Sequence, residues 1–115
     1  MATNHAEISA INKASKKIGS WRLSDCEMYI TLEPCTMCAG AIIQSRIKKI
    51  YIGTMDEKTG ACGSVLNVLD YKFNHKVEVE YGILREECEY ILKEFFRKLR
   101  KDKRRKIANV KRKII

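Results

Sequence analysis

His5-Ala6-Glu7 and Pro34-Cys35-Thr36-Met37-Cys38 carry the residue types that can do chemistry in this chain. One imidazole and two thiolates can hold a zinc ion and leave its fourth position open, which is the arrangement of a catalytic rather than a structural zinc. A carboxylate two residues from the histidine, Glu7, can then move protons beside that position. Cys35 and Cys38 are three apart, so a helix puts both on one face. Pro34 just ahead of them suits a helix start, where the backbone dipole favours thiolate, the ligand form. Glu7, at i+2 from His5, does not share the histidine's helical face, which suits a role beside an activated water better than a role as ligand. The bland alternatives are specific. A lone C-x-x-C also serves as a redox pair or as half of a structural zinc site. Cys26, Cys62 and Cys88 are further thiols, but none forms a second such pair.

The elements that must position these groups are legible from periodicity. Residues 5–18 predict a helix with Ile8, Ile11, Ala14 and Ile18 as its apolar stripe, Asn4 as N-cap and Gly19 just past its end. Residues 27–32, rich in Tyr, Ile, Thr and Leu, predict a strand. A helix over 35–45 and a strand over 47–53 follow. Short links in a strand–helix–strand run imply parallel pairing through a right-handed crossover. Residues 54–64, a glycine-containing loop beyond that strand, fall where an α/β sheet places its ligand-facing segments. A short helix over 65–69, a strand over 77–81 and a last helix over 86–101 complete the chain. Cys88, Ile91, Leu92, Phe95 and Leu99 are expected on that last helix's packed face. The predicted sheet has three parallel strands, and 27–32 is an edge strand with unpaired backbone groups.

At 115 residues one domain is expected. Residues 1–96 hold twelve Lys/Arg against thirteen Asp/Glu, whereas residues 97–115 hold eleven Lys/Arg and one Asp. The formal charge of +9 thus resides in the C-terminal segment, which is suited to RNA phosphates by counterion release or, more blandly, to solubility. No basic segment leads into an apolar run at the N-terminus, so no signal peptide is expected, and five cysteines then suggest a reducing cytoplasm. No apolar stretch is long enough to span a membrane.

The pattern H-x-E…P-C-x-x-C is the signature of the zinc-dependent nucleoside and nucleotide deaminases. Within that superfamily the chain most closely resembles bacterial tRNA-specific adenosine deaminases, from about residue 4 to about residue 100. The resemblance is carried by His5-Ala6-Glu7-Ile8, Gly19-Ser20-Trp21-Arg22-Leu23, Thr31-Leu32-Glu33-Pro34-Cys35-Thr36-Met37-Cys38-Ala39-Gly40-Ala41-Ile42, Lys58 to Leu66 and Glu94-Phe95-Phe96-Arg97. It implies a three-layer α/β/α cytidine-deaminase-like fold over residues 1–100, followed by a basic tail over 101–115. It also implies Zn2+ on His5, Cys35 and Cys38, with Glu7 as the catalytic proton carrier. The implied reaction is hydrolytic deamination of adenosine to inosine at the wobble position of a tRNA anticodon stem-loop, by a cytoplasmic homodimer. Lys58, Ser64 and Arg97 match family segments along the RNA path and are the expected substrate contacts. Ordinary turn chemistry is the competing account of Lys58 and Ser64. The family normally carries a helix and two strands ahead of the H-x-E helix, and this chain reaches the histidine at position 5. The rival readings are therefore a deaminase of a free base or nucleotide, and a shortened remnant that binds zinc or RNA without turnover.

Overall fold

In the computed structural model the backbone of residues 5–114 and the side chains of residues 5–102 are described. Helix α1 spans Ala6–Ile18, strand β1 Glu27–Leu32, helix α2 Thr36–Gln44, strand β2 Lys49–Thr54, strand β3 Glu78–Tyr81 and helix α3 Arg85–Ile114. A single 3-10 turn at Val68–Asp70 interrupts the connection from β2 to β3. The three strands pair in the order β1-β2-β3, both pairs parallel, with Ile30 opposite Ile52 and Ile52 opposite Tyr81.

Strand alternation sorts these residues onto two faces. Met28, Ile30, Ile50, Ile52 and Val79 share one, and Ile50 and Ile52 are completely buried. They form the core with Ile11 of α1, Ala39, Ile42 and Ile43 of α2, and Ala61, Cys62 and Leu69 from the β2–β3 connection. Helices α1 and α2 pack on each other here. On the opposite face α3 crosses β2. Gly53 permits that crossing, because a Cβ there would collide with the side chain of Cys88 and with the carbonyl of Thr31. The result is the expected α/β/α layering, with one well-filled interface and one sparse one.

Several expectations need correction. The N-cap of α1 is His5, in extended conformation with no side-chain capping bond; Asn4 lies outside the described residues. The helix starts one residue later because His5 leaves the helical path to meet Cys35. The short helix falls at Val68–Asp70 rather than at 65–69. The last helix is longer than 86–101, and its predicted packed face is mostly in water. Ile91 is 58% exposed, Phe95 55% and Leu99 40%. Helical spacing groups these residues correctly, but among the described residues nothing covers them beyond the first turns of α3. The basic segment from 101 onward continues the same helix, and the side chains that would test RNA contact there fall outside those described.

Candidate metal centre

The N-terminal ends of α1 and α2 meet above the C-terminal end of β1. His5 Nδ1 lies 3.7 Å from Cys35 Sγ. The ligand atoms of His5, Cys35 and Cys38 all stand within 4.8 Å of one another. Zinc bonds of about 2.3 Å to sulfur and 2.0 Å to nitrogen, at a tetrahedral angle, separate two ligands by roughly 3.6 Å. One nitrogen and two soft sulfurs at this spacing fit that cation, with room for a fourth, non-protein ligand.

Local rules place the two sulfurs. Pro34 is buried and ends the strand segment, Cys35 is the N-cap of α2, and Cys38 lies in its first turn. Cys38 is fully buried. Its thiol is pushed well above its ordinary value by burial, then by the Glu7 carboxylate and by Cys35. The helix N-terminus favours thiolate, as expected, but it does not act alone at Cys38. Desolvation and a neighbouring carboxylate outweigh the dipole at Cys38, and a bound dication is what reverses that balance. Glu7 sits in the first turn of α1, half-buried and against the same sulfur. It therefore lies against the ligand cluster on a different helical face from His5.

A second carboxylate holds the loop that walls the site. Glu33, only 3% exposed, accepts hydrogen bonds from the amides of Asp56 (3.0 Å), Cys62 (2.9 Å) and Ser64 (3.0 Å) and from the Ser64 hydroxyl. Burial by itself would raise its pKa; the Ser64 hydroxyl and the three amides outweigh burial and hold it below the ordinary value. Gly60 makes room for it, since a Cβ there would strike the Glu33 carboxyl. Asp56 caps its own turn, accepting from the amides of Lys58 and Thr59 and from the Thr59 hydroxyl at 2.7 Å. Cys62, also fully buried, has its thiol pushed up to about 12, mainly by desolvation and then by Glu33.

A groove of about 700 Å³ opens beside this cluster. His5, Glu7 and Cys35 line it together with Tyr29 and Thr31 of β1, Asp56 and Thr59 of the loop, and Phe95 and Phe96 of α3. Its volume suits a nucleoside-sized ligand. His5, Glu7, Cys35 and Cys38 thus come together as the sequence predicted. The three expected substrate contacts do not join them. Ser64 directs its hydroxyl to Glu33 and serves as an anchor of the loop, because the carboxylate is its nearest strong acceptor. Lys58 is exposed at the loop tip, and Arg97 pairs with Glu94 at 2.8 Å on the outer surface of α3. The sequence reading missed Glu33, Asp56 and Thr59. Asp56-Glu57-Lys58-Thr59 carries a turn signal that could have been read. Glu33 carries none except its position, directly after a strand and directly before Pro34.

Comparison with known proteins agrees with this geometry. The MafB19-like deaminase family matches residues 1–100. The chain is 48% identical over 101 residues to the tRNA-specific adenosine deaminase of Bacillus subtilis (strain 168), covering 87% of this chain and 63% of that protein. A solved structure from work on A-to-I editing by tRNA:A34 deaminases at the wobble position of transfer RNA superposes with a TM-score of 0.73. It is 40% identical and covers 76% of this chain and 64% of that one. A guanine deaminase from Nitrosomonas europaea superposes with a TM-score of 0.60 at 27% identity, covering 79% of this chain and 56% of that one. The chain spans about three fifths of the length of the curated relatives it matches.

Proposed function

Because the chain belongs to the MafB19-like deaminase family, we propose that it catalyses hydrolytic deamination of adenosine to inosine in tRNA, at the wobble position of the anticodon stem-loop. The observation that carries this reading is the Glu7 carboxylate in the same groove as His5 and Cys35, whose ligand atoms converge with that of Cys38. His5, Cys35 and Cys38 would hold a zinc ion, which supplies when bound a Lewis-acid position where water gives up a proton near neutral pH. Glu7 would take one proton of the attacking water and give it to the ring nitrogen beside C6, then take the second from the oxygen now on C6 and give it to the departing amine, which leaves as ammonia. Tyr29, Phe95 and Phe96 present aromatic surface along the groove against which an unstacked base can lie. An anticodon loop offers such a base at lower cost than a duplex. Exposed Lys58 and Arg97 are proposed phosphate contacts outside the groove. The Arg97–Glu94 pair is a surface pair, easily exchanged for a phosphate.

The protein is proposed to work as a homodimer in a reducing compartment, where its five cysteines stay free. Among the described residues no helix is long and apolar enough to cross a membrane. A free-base substrate is the second reading, favoured by the likeness to the guanine deaminase structure.

Inosine formation in an anticodon stem-loop, measured beside deamination of free adenine, guanine and cytidine, separates the two. Glu7→Ala is expected to retain its metal by elemental analysis while turnover falls by about 10²–10⁴-fold. Cys38→Ser is expected to lose both. Turnover of Glu7→Ala at the wild-type rate would remove Glu7 from the mechanism.

A further inference from the structure

We infer that a basin at the opposite end of the sheet from the metal-ligand cluster is a binding site for a phosphate group. The basin, about 380 Å³, is lined by Arg22 and Ser24 from the segment after α1, by Arg46 directly after α2, and by Asn74 and His75 from the segment leading into β3. Cys35 precedes the nine residues of α2, and Arg46 follows its C-cap, Ser45. At 1.5 Å per residue the basin therefore lies roughly 15 Å from the ligand cluster. Its occupant is not the group that reacts at Glu7, and the inference stands apart from the proposed deamination.

Three features point to an oxyanion. The lining holds two guanidinium groups, a hydroxyl, an amide and an imidazole, and no carboxylate. The ion pairs among the described residues are Arg85–Glu89 and Arg97–Glu94, so neither Arg22 nor Arg46 has an acidic partner. The Arg46 Nε is buried and meets no acceptor among the described residues. A buried donor without a protein acceptor is met by a water or an ion, and two unpaired guanidinium groups in one basin favour an anion. Two guanidinium forks from separate segments also offer more donors than the two oxygens of a carboxylate can use. A phosphate, with three or four oxygens, matches them better.

Backbone bonds tie together the segments that carry the lining residues. Leu23 N donates to Ser45 O at 2.8 Å, Lys48 N to Cys26 O at 3.1 Å, and Glu78 N to Lys48 O at 3.1 Å. The His75 Nε2 donates to Ile47 O at 2.7 Å, which fixes that ring against the start of β2. Arg46 itself is held at φ 62, a left-handed conformation uncommon for a side chain of this size. Such strain persists where the surroundings over-determine it, as these cross-links do.

The phosphate could belong to an RNA backbone or be free in solution, and the test distinguishes them. Amide spectra of the ¹⁵N-labelled full chain would be titrated with inorganic phosphate and, separately, with an anticodon stem-loop RNA. Phosphate is expected to shift the amides of Leu23, Arg46, Ile47 and His75 saturably while leaving Cys38 and Asp56 in place. An Arg22→Gln/Arg46→Gln double variant is expected to weaken that response about tenfold or more, since both charge-assisted forks are lost. Arg22→Gln alone changes only an exposed side chain and tests the same point if the Arg46 turn is disturbed. Stem-loop RNA shifting the same amides, with a salt slope lower by about 0.7 in Arg22→Gln, identifies a backbone phosphate as the ligand. A response to inorganic phosphate alone identifies a free phosphate. Absence of shifts with both probes, or shifts that both variants leave unchanged, would overturn the inference.

Discussion

On the α1–α2 side of the sheet, Ile50, Ile52 and Ile42 are completely dry, and side chains from both helices interlock with the strands. On the α3 side, Tyr29 is 70% exposed and stacks on Tyr51 with ring centroids 4.3 Å apart, while Phe95 and Phe96 are exposed and meet edge to face. All the candidate chemistry hangs from the first side. Helix α1 brings Glu7, the residue before it is His5, and α2 is preceded by Cys35 and carries Cys38. Three ligand atoms must converge within a few tenths of an ångström, and only elements locked by packing hold such tolerances. The second side supplies groove wall, for which surface is enough and rigidity is not.

Substitutions can test how far the two sides differ. Ile52→Ala, on the dry side, is expected to lower unfolding free energy by about 2–5 kcal/mol in urea titrations, because a closed core leaves a cavity. A loss under 1 kcal/mol would mean that this side is no better packed than the other. Next in size is Glu33→Ala, which strands the buried amide of Cys62 and releases the 56–64 loop from its anchor. It is expected to cost about 1–3 kcal/mol, with faster hydrogen exchange at Asp56, Cys62 and Ser64. Glu33→Gln gives the electrostatic part. The folded-state pKa of Glu33 lies below its ordinary value of 4.5, so its contribution is present above that value and lost as pH falls through the folded pKa. The wild type is therefore expected to lose stability on acidification below about pH 4.5 more steeply than Glu33→Gln, as read by thermal melts at stepped pH. Ile91→Asn, on the sparse side, is expected to change stability by no more than about 0.5 kcal/mol, as exposed positions do. A cost of 2 kcal/mol there would show that α3 is covered in solution, and a concentration dependence of that cost would identify a second copy as the cover.

Much of the positioning scaffold was legible in advance. Strand 27–32 and the turn at Gly19 emerged where local pattern put them, because alternation and left-handed glycine are properties of a few neighbouring residues. The parallel pairing of β1 with β2 followed from the short links of the strand–helix–strand run. Helical spacing predicts a packed face on α3, and that face is open. Periodicity states which residues share a stripe, and it contains no information on whether another element lies against that stripe. The partner of Ser64 is equally out of reach of local pattern. The spacing of Ser64 was right for the loop, but its acceptor, Glu33, is thirty-one positions away, and no local rule links them.

Residue type and short spacing by themselves determined the chemistry open to this chain: a nitrogen and two sulfurs for a soft dication, with a carboxylate two positions from the nitrogen. Helix and strand order were determined at the same level, since both depend on interactions within a turn or a pleat. Only the folded chain decided that His5 stands 3.7 Å from Cys35, that Glu33 ties the loop, and that Arg22 and Arg46 share one basin. Those contacts join residues far apart in sequence. They exist because burying the isoleucine face of the sheet brings distant segments to the same two ends of the strands, a consequence of packing that no local pattern encodes.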